Sequence, residues 1–352
     1  DLVGMRYEQL MPYVNPGEGA FRVIAGDYVS TEDGTGIVHI APTFGADDAA
    51  VAKVAGVPPM QLVNKKGELR PMVDLQGRFY PIEELDETFV KERVNVALYS
   101  KYAGRYVKNE YDASLTDKDE TLDIALCMEL KQNNQALKIE KQVHSYPHCW
   151  RTDKPVLYYP LDSWFIRSSA CKERMMELNK NILWKPESTG IGRFGKWLEN
   201  LNDWNLSRSR YWGTPLPIWR NEDGEACCIG SIQELYDEIE KSVQAGFMTS
   251  NPLKDKGFVP GDYAEENYHK IDLHRPYVDD IILVSATGKP MKRETDLIDV
   301  WFDSGAMPYA QIHYPFENKE LLDSHKVYPA DFIAEGVDQT RGWFFTLHAI
   351  GT

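Results

Sequence analysis

Apolar and polar positions change their period along this chain, and the changes outline its elements. "FRVIAGDYVS" and "GTGIVHIAP" are strand-like runs joined through the turn-rich "TEDGTG". That pattern predicts a β-hairpin, with Gly34 and Gly36 supplying permissive backbone at its tip. After Gly45, "ADDAAVAKVAG" predicts a short helix closed by Gly56 and the Pro58-Pro59 pair, with Asp47 and Asp48 in its first turn. "PIEELDETFVKERVNVALYSK" reads as a second, amphipathic helix. "DKDETLDIALCMELKQNNQALKIEKQ", acidic first and basic last, reads as a third. Asp1 to about Gln142 is thus a mixed β/α unit.

From His144 the chain becomes rich in Trp, Tyr and Pro ("HSYPHCWRTDKPVLYYPLDSWF", then "WLENLNDWNLSRSRYWGTPLPIW"), which places a domain boundary near residue 143. Within the second unit, about 221–293 reads as an insertion. There a helical pattern, "SIQELYDEIEKSVQAGF", and a polar stretch with several glycines and prolines separate two aromatic regions. "GKPMKRE" reads as a turn with solvated charges, and "RGWFFTLHAIGT" as the start of a core helix. No repeat of solenoid length and no low-complexity tract is present.

Composition narrows the function. With 352 residues, 43% of them apolar and 12% aromatic, the chain can build real cores. Its 39 Lys and Arg against 54 Asp and Glu give a net charge of −15, so no global positive field draws in nucleic acid or anionic membrane. Any nucleic-acid contact must be local. The five cysteines form no C-x-x-C pair, which argues for a reducing compartment and against a disulfide framework. No apolar run approaches the roughly 20 residues of a membrane helix, and no signal-peptide pattern opens the chain, so the expected place is the cytoplasm. Asp1 replaces an initiator Met and the last residues are apolar, so the chain reads as a piece of a larger protein.

Each chemical candidate has a structural alternative. Asp47 and Asp48 in a first helical turn are favoured by the helix dipole alone, and His39 can be a satisfied strand histidine. A carboxylate there is also a receptor for a ligand ammonium, and a neighbouring His can order a water or bind a ribose hydroxyl. His144, His148 and Cys149 cluster in "HSYPHCW", but Thr152 stands where a C-x-x-C partner would be, and Cys227-Cys228 are adjacent. No zinc site is expected. Trp197, Trp204, Trp212, Trp219, Trp301 and Trp343, at irregular spacing, read as core residues before ligand platforms. Arg208 and Arg210 beside Trp212 could hold phosphates next to a stacking ring, although two arginines make a small patch.

Four stretches considered together, "GTGIVHIAPTFGADD", "LSRSRYWGTPLPIW", "DVWFDSG" and "EGVDQTRGWF", closely resemble the class I isoleucyl-tRNA synthetases, in the family's order and over the whole chain. The resemblance implies most of a β-barrel-like editing domain (residues 1–142), followed by the second half of a Rossmann-type catalytic core (143–352). The HIGH-type signature, the threonine-rich editing segment and the KMSKS loop are absent from this stretch, so the chain alone is not expected to aminoacylate. "KPMKR" precedes "DQTRGWF" and is not the KMSKS loop. By the same resemblance, Asp48 matches the aspartate that holds the α-ammonium of a misattached amino acid, and His39 the histidine near its ester. Glu335, Gly336, Asp338 and Gln339 match positions contacting the aminoacyl-adenylate, and Trp301 and Trp343 the apolar walls of the isoleucine pocket. The implied substrates and partners are ATP with Mg²⁺, isoleucine and tRNA(Ile), with no membrane and no obligate protein partner. Two alternatives stay open: a valyl-type synthetase, and a non-catalytic tRNA-binding relative.

Overall fold

The computed structural model describes residues 2–32, 35–116, 118–141 and 143–352. These fall into two compact units, Asp1–Leu161 and Asp162–Thr352. The compositional change near residue 143 lies inside the first unit. There Tyr111 Oη donates to the Pro155 carbonyl at 2.9 Å and Tyr159 Oη to the Val73 carbonyl at 2.9 Å.

In the first unit the short helix forms at Ala46–Ala55 and ends on Gly56, whose φ of 68° and ψ of 34° are the left-handed conformation that suits glycine. The long second helix does not form as one piece. It breaks into a 3-10 turn at Ile82–Glu84 and helices at Glu87–Arg93 and Val96–Tyr99. The cause is local capping: Asp86 accepts from the Phe89 amide at 2.8 Å and Asn95 from the Leu98 amide at 3.3 Å, so each restarts the helix. The third helix spans only Leu122–Gln132, capped by Thr121; Asp117 and Gln142, at the ends of the expected stretch, lie outside the described residues. Tyr13, Val14, Leu62, Leu85, Tyr99, Tyr102 and Leu122 make the core of this unit.

The expected hairpin is absent among the described residues, and its Gly34 lies outside them. Phe21–Val23 pair instead with the preceding segment: the Gly4 amide donates to the Val23 carbonyl at 2.9 Å and the Tyr7 amide to the Phe21 carbonyl at 3.0 Å. Ile37 and Val38 are exposed. An isolated two-stranded ribbon with no buried face is marginal in water, which accounts for the loss.

The second unit has two cores. One lies on a four-stranded antiparallel sheet in the order Ala226–Cys228, Ile218–Arg220, Pro290–Arg293, Ile282–Val284. The Ile232–Gln244 helix covers it, capped by Ser231, whose Oγ accepts from the Glu234 amide at 3.0 Å. The helix buries Leu235 and Ile239 against Trp219, Leu283 and Met291. The other core gathers Met175, Phe194, Leu198, Leu201 and Phe345.

"GKPMKRE" is no solvated turn, because Pro290–Arg293 is an inner strand of that sheet. The Arg293 side chain is 1% exposed and ion-paired with Asp279. It also donates to the carbonyls of Leu216, Glu294 and Asp296. Asp279 keeps Arg275 at 3.0 Å as a second partner, so replacing Arg293 strands mainly the carbonyls. Arg293→Met is therefore expected to destabilise the protein by about 2 kcal/mol, measured by urea unfolding.

Among the described residues every ladder is antiparallel and the largest sheet has four strands. The architecture is mixed α/β with small sheets. No barrel closes among the described residues, since closure needs a continuous ring of paired strands and the described part of the 21–42 segment contributes no strand. No parallel Rossmann sheet is formed among the described residues either.

Candidate functional site

A cavity of about 370 Å³ in the second unit is lined by Trp301, Ser304, Met307, Glu335, Gln339 and Trp343. Four of these six are residues that the sequence singles out, brought together from positions more than thirty residues apart. Trp301, Ser304 and Met307 follow at i, i+3 and i+6 on the Val300–Ala310 helix, hence on one face. The opposite wall is the 3-10 turn Val337–Arg341 leading into the Trp343–Gly351 helix.

Polar bonds fix this wall from behind. The buried Thr340 hydroxyl accepts from Arg193 Nε at 3.0 Å and donates to the Val337 carbonyl at 2.7 Å. Gln339 Oε1 accepts from the Trp343 amide at 3.0 Å and so caps the last helix. The Trp343 indole N–H donates to the Ser304 carbonyl at 2.9 Å, tying the two walls together. Glu335 and Asp338 are exposed, with Asp338 accepting from Gln339 Nε2 at 3.1 Å. A Cβ on Gly336 would lie 2.5 Å from Asp338 Oδ1, so glycine lets that carboxylate fold over the turn.

The two helices touch through Gly305. A Cβ there would stand 2.8 Å from Ile350 Cδ1 and 2.9 Å from the Thr346 backbone carbon. Gly305→Ala is therefore expected to force the helices apart, costing about 1–3 kcal/mol of stability. Urea unfolding of the variant beside the wild type measures the loss.

A second cavity, of about 580 Å³, shares Trp301 and adds Arg208, Arg210, Trp212, His274, Asp299 and Asp303. Asp299 is buried and satisfied: it accepts from Arg208 at 2.8 Å, from the Trp204 indole at 3.1 Å and from the Trp301 amide at 3.4 Å. Arg208 is thereby committed to the fold, whereas Arg210 is exposed. Trp212 stacks on His274 with ring centroids 4.5 Å apart. Arg275 holds the same loop, bonding to the carbonyls of Arg210 at 2.6 Å and Gly213 at 3.0 Å. Burial pushes the Asp303 carboxyl above its usual range, against the opposing effect of the Thr214 hydroxyl at 3.3 Å.

In the first unit, Asp48 turns back from the first helical turn. Its Oδ2 accepts from the Ala41 amide at 2.8 Å, and its Oδ1 lies 3.4 Å from the Tyr28 hydroxyl. A Cβ on Gly45 would meet Asp48 Oδ2 at 2.6 Å, so the helix begins on glycine to admit the carboxylate. One oxygen thus holds the loop, and the other accepts a long hydrogen bond from the Tyr28 hydroxyl. His39 is exposed two residues before Ala41, and no hydrogen bond joins it to Asp48. The Asp48 carboxylate pushes the Tyr28 phenol upward, second to desolvation.

Among the described residues no group of three or more His, Cys, Asp or Glu is placed to hold a metal, and no helix is long and apolar enough to cross a membrane. Sequence reasoning missed Met307, Tyr28 and His274. The i, i+3, i+6 series that starts at Trp301 carries the signal for Met307; the other two have no local signal.

Residues 107–352 match the model of the tRNA synthetases class I (I, L, M and V), and the chain belongs to that family. Among its relatives, the isoleucine–tRNA ligase of Bacteroides fragilis is 82% identical across the whole of this chain, which covers 31% of that protein. The isoleucine–tRNA ligases of Bacteroides thetaiotaomicron (72% identical, 32% of its length) and Clostridium tetani (44%, 28%) also match along the whole chain. The chain therefore spans under a third of the length of these relatives.

Proposed function

We propose that this chain is part of an isoleucine–tRNA ligase that activates isoleucine with Mg²⁺-ATP, transfers it to tRNA(Ile), and hydrolyses misacylated valyl-tRNA(Ile) at a separate site. The observation that carries the reading is the cavity that gathers Trp301, Trp343, Glu335 and Gln339 within a class I synthetase match. Indole walls suit a branched aliphatic side chain, while Glu335 and Gln339 offer polar atoms for the ammonium and the adenylate. Adenylate formation and acyl transfer need positioning and electrostatics more than a protein nucleophile, which suits a cavity whose Ser304 hydroxyl is bonded back to the Val300 carbonyl. In this reading the second cavity receives the acceptor end of tRNA, with Arg210 and Trp212 as its exposed cation and ring and Arg208 behind them.

A pocket cannot exclude a side chain smaller than its own substrate. One methylene is worth only about 1–3 kcal/mol, and the isoleucine–valine pair of this enzyme class is itself the illustration of that limit. Hence a second, metal-free site, in which Asp48 anchors the ammonium and His39 lies near the ester. We assign residues 1–142 to that editing domain and 143–352 to the second half of a Rossmann-type core in the whole protein, with 221–293 inserted. No zinc, membrane or obligate protein partner enters the scheme, and its place is the cytoplasm. Charging of tRNA(Ile) by the full-length protein tests it: stable isoleucyl-tRNA with transient valyl-tRNA supports the reading. Clearance of threonyl-tRNA and stable valyl-tRNA would favour a valyl-type enzyme, and no charging a non-catalytic relative.

A further inference from the structure

The amino-acid cavity has two kinds of wall. Trp343 is held through both its amide and its indole N–H, at 3.0 and 2.9 Å. Trp301 is backed by main chain, since a Cβ on Gly342 would lie 3.3 Å from its Cη2. The Ser304 hydroxyl is turned back onto the Val300 carbonyl at 3.2 Å. Met307 is as exposed as Trp301, at 39%, and differs in its side chain, which has three rotatable bonds ending in a polarisable thioether where the indoles have two.

We propose that Met307 is the adaptable wall of this cavity and limits how well it separates side chains that differ by one methylene. The inference rests on the isoleucine reading above. When valine occupies the cavity, the indoles cannot follow the smaller side chain, but the Met307 thioether can swing into the vacated space. It thereby recovers contacts and narrows the difference between the two ligands. A β-branched residue on a helix keeps essentially one χ1 rotamer and cannot make that adjustment.

The test is amino-acid-dependent ATP–pyrophosphate exchange by the full-length protein, with isoleucine and with valine, for wild type, Met307→Ile and Met307→Ala. Met307→Ile is expected to lower kcat/KM for valine about 3- to 10-fold while isoleucine changes less, so that discrimination rises. Met307→Ala should lower isoleucine more than valine, so that discrimination falls. A purely structural role lowers both amino acids together and leaves their ratio alone. An unchanged ratio in both variants, with wild-type exchange intact, overturns the inference and spares the isoleucine reading. Wild-type exchange that does not prefer isoleucine overturns that reading and the inference with it. Met307→Val, likewise β-branched, carries the same comparison where Met307→Ile is poorly folded.

Discussion

Replacing Asp48 by Asn in the full-length protein is expected to slow hydrolysis of valyl-tRNA(Ile) by roughly 100-fold while leaving isoleucine activation unchanged. The charge-assisted bond to a ligand ammonium contributes up to about 3 kcal/mol, which corresponds to a factor of that size. Asn isolates the charge because its side-chain oxygen still accepts from the Ala41 amide, as Oδ2 does at 2.8 Å. Asp48→Ala removes both functions, so it should lose the same hydrolysis and also loosen the turn ahead of the Ala46–Ala55 helix, with a lower melting temperature. Hydrolysis and Tm measured on both variants separate anchor from cap. If Asn hydrolyses valyl-tRNA normally, Asp48 only holds its helix.

Trp343→Ala is expected to reduce kcat/KM for isoleucine in ATP–pyrophosphate exchange by roughly 30- to 150-fold, with the ATP KM little changed. The variant removes one of two indole walls and leaves a void beside the ligand. That loss of apolar burial is worth about 2–3 kcal/mol. It also frees the Ser304 carbonyl from its indole donor. Trp343→Phe keeps a smaller aromatic wall and loses the donor, and should cost less, about 1 kcal/mol, or roughly fivefold. Equal losses in the two variants would mean that Trp343 acts through its bond to Ser304 rather than as a wall.

What could be read from the sequence follows the range of the interactions. The Ala46–Ala55 helix was legible because its start, first-turn carboxylates and Gly56 stop are all local. The Trp343–Gly351 helix was equally plain. The 81–101 segment misled because Asp86 and Asn95, polar residues inside an amphipathic pattern, restart the helix as caps. The 290–293 strand misled because the burial of Arg293 is decided by Asp279, fourteen residues earlier, and by three distant or adjoining carbonyls. The hairpin misled because strand pairing depends on what covers its faces. At the candidate site, Trp301, Trp343, Glu335 and Gln339 were singled out by motif resemblance, and no periodicity joins them. Arg208 shows the limit of composition: two arginines beside a tryptophan suggest phosphate contact, yet one of them is bound to the buried Asp299.

The most direct measurement is the amino-acid dependence of ATP–pyrophosphate exchange by the full-length protein, comparing isoleucine, valine and threonine. The account expects the highest kcat/KM for isoleucine, a smaller but measurable value for valine, and little for threonine. Preference for valine, or exchange that depends on none of the three, would contradict the assignment of the Trp301–Trp343 cavity.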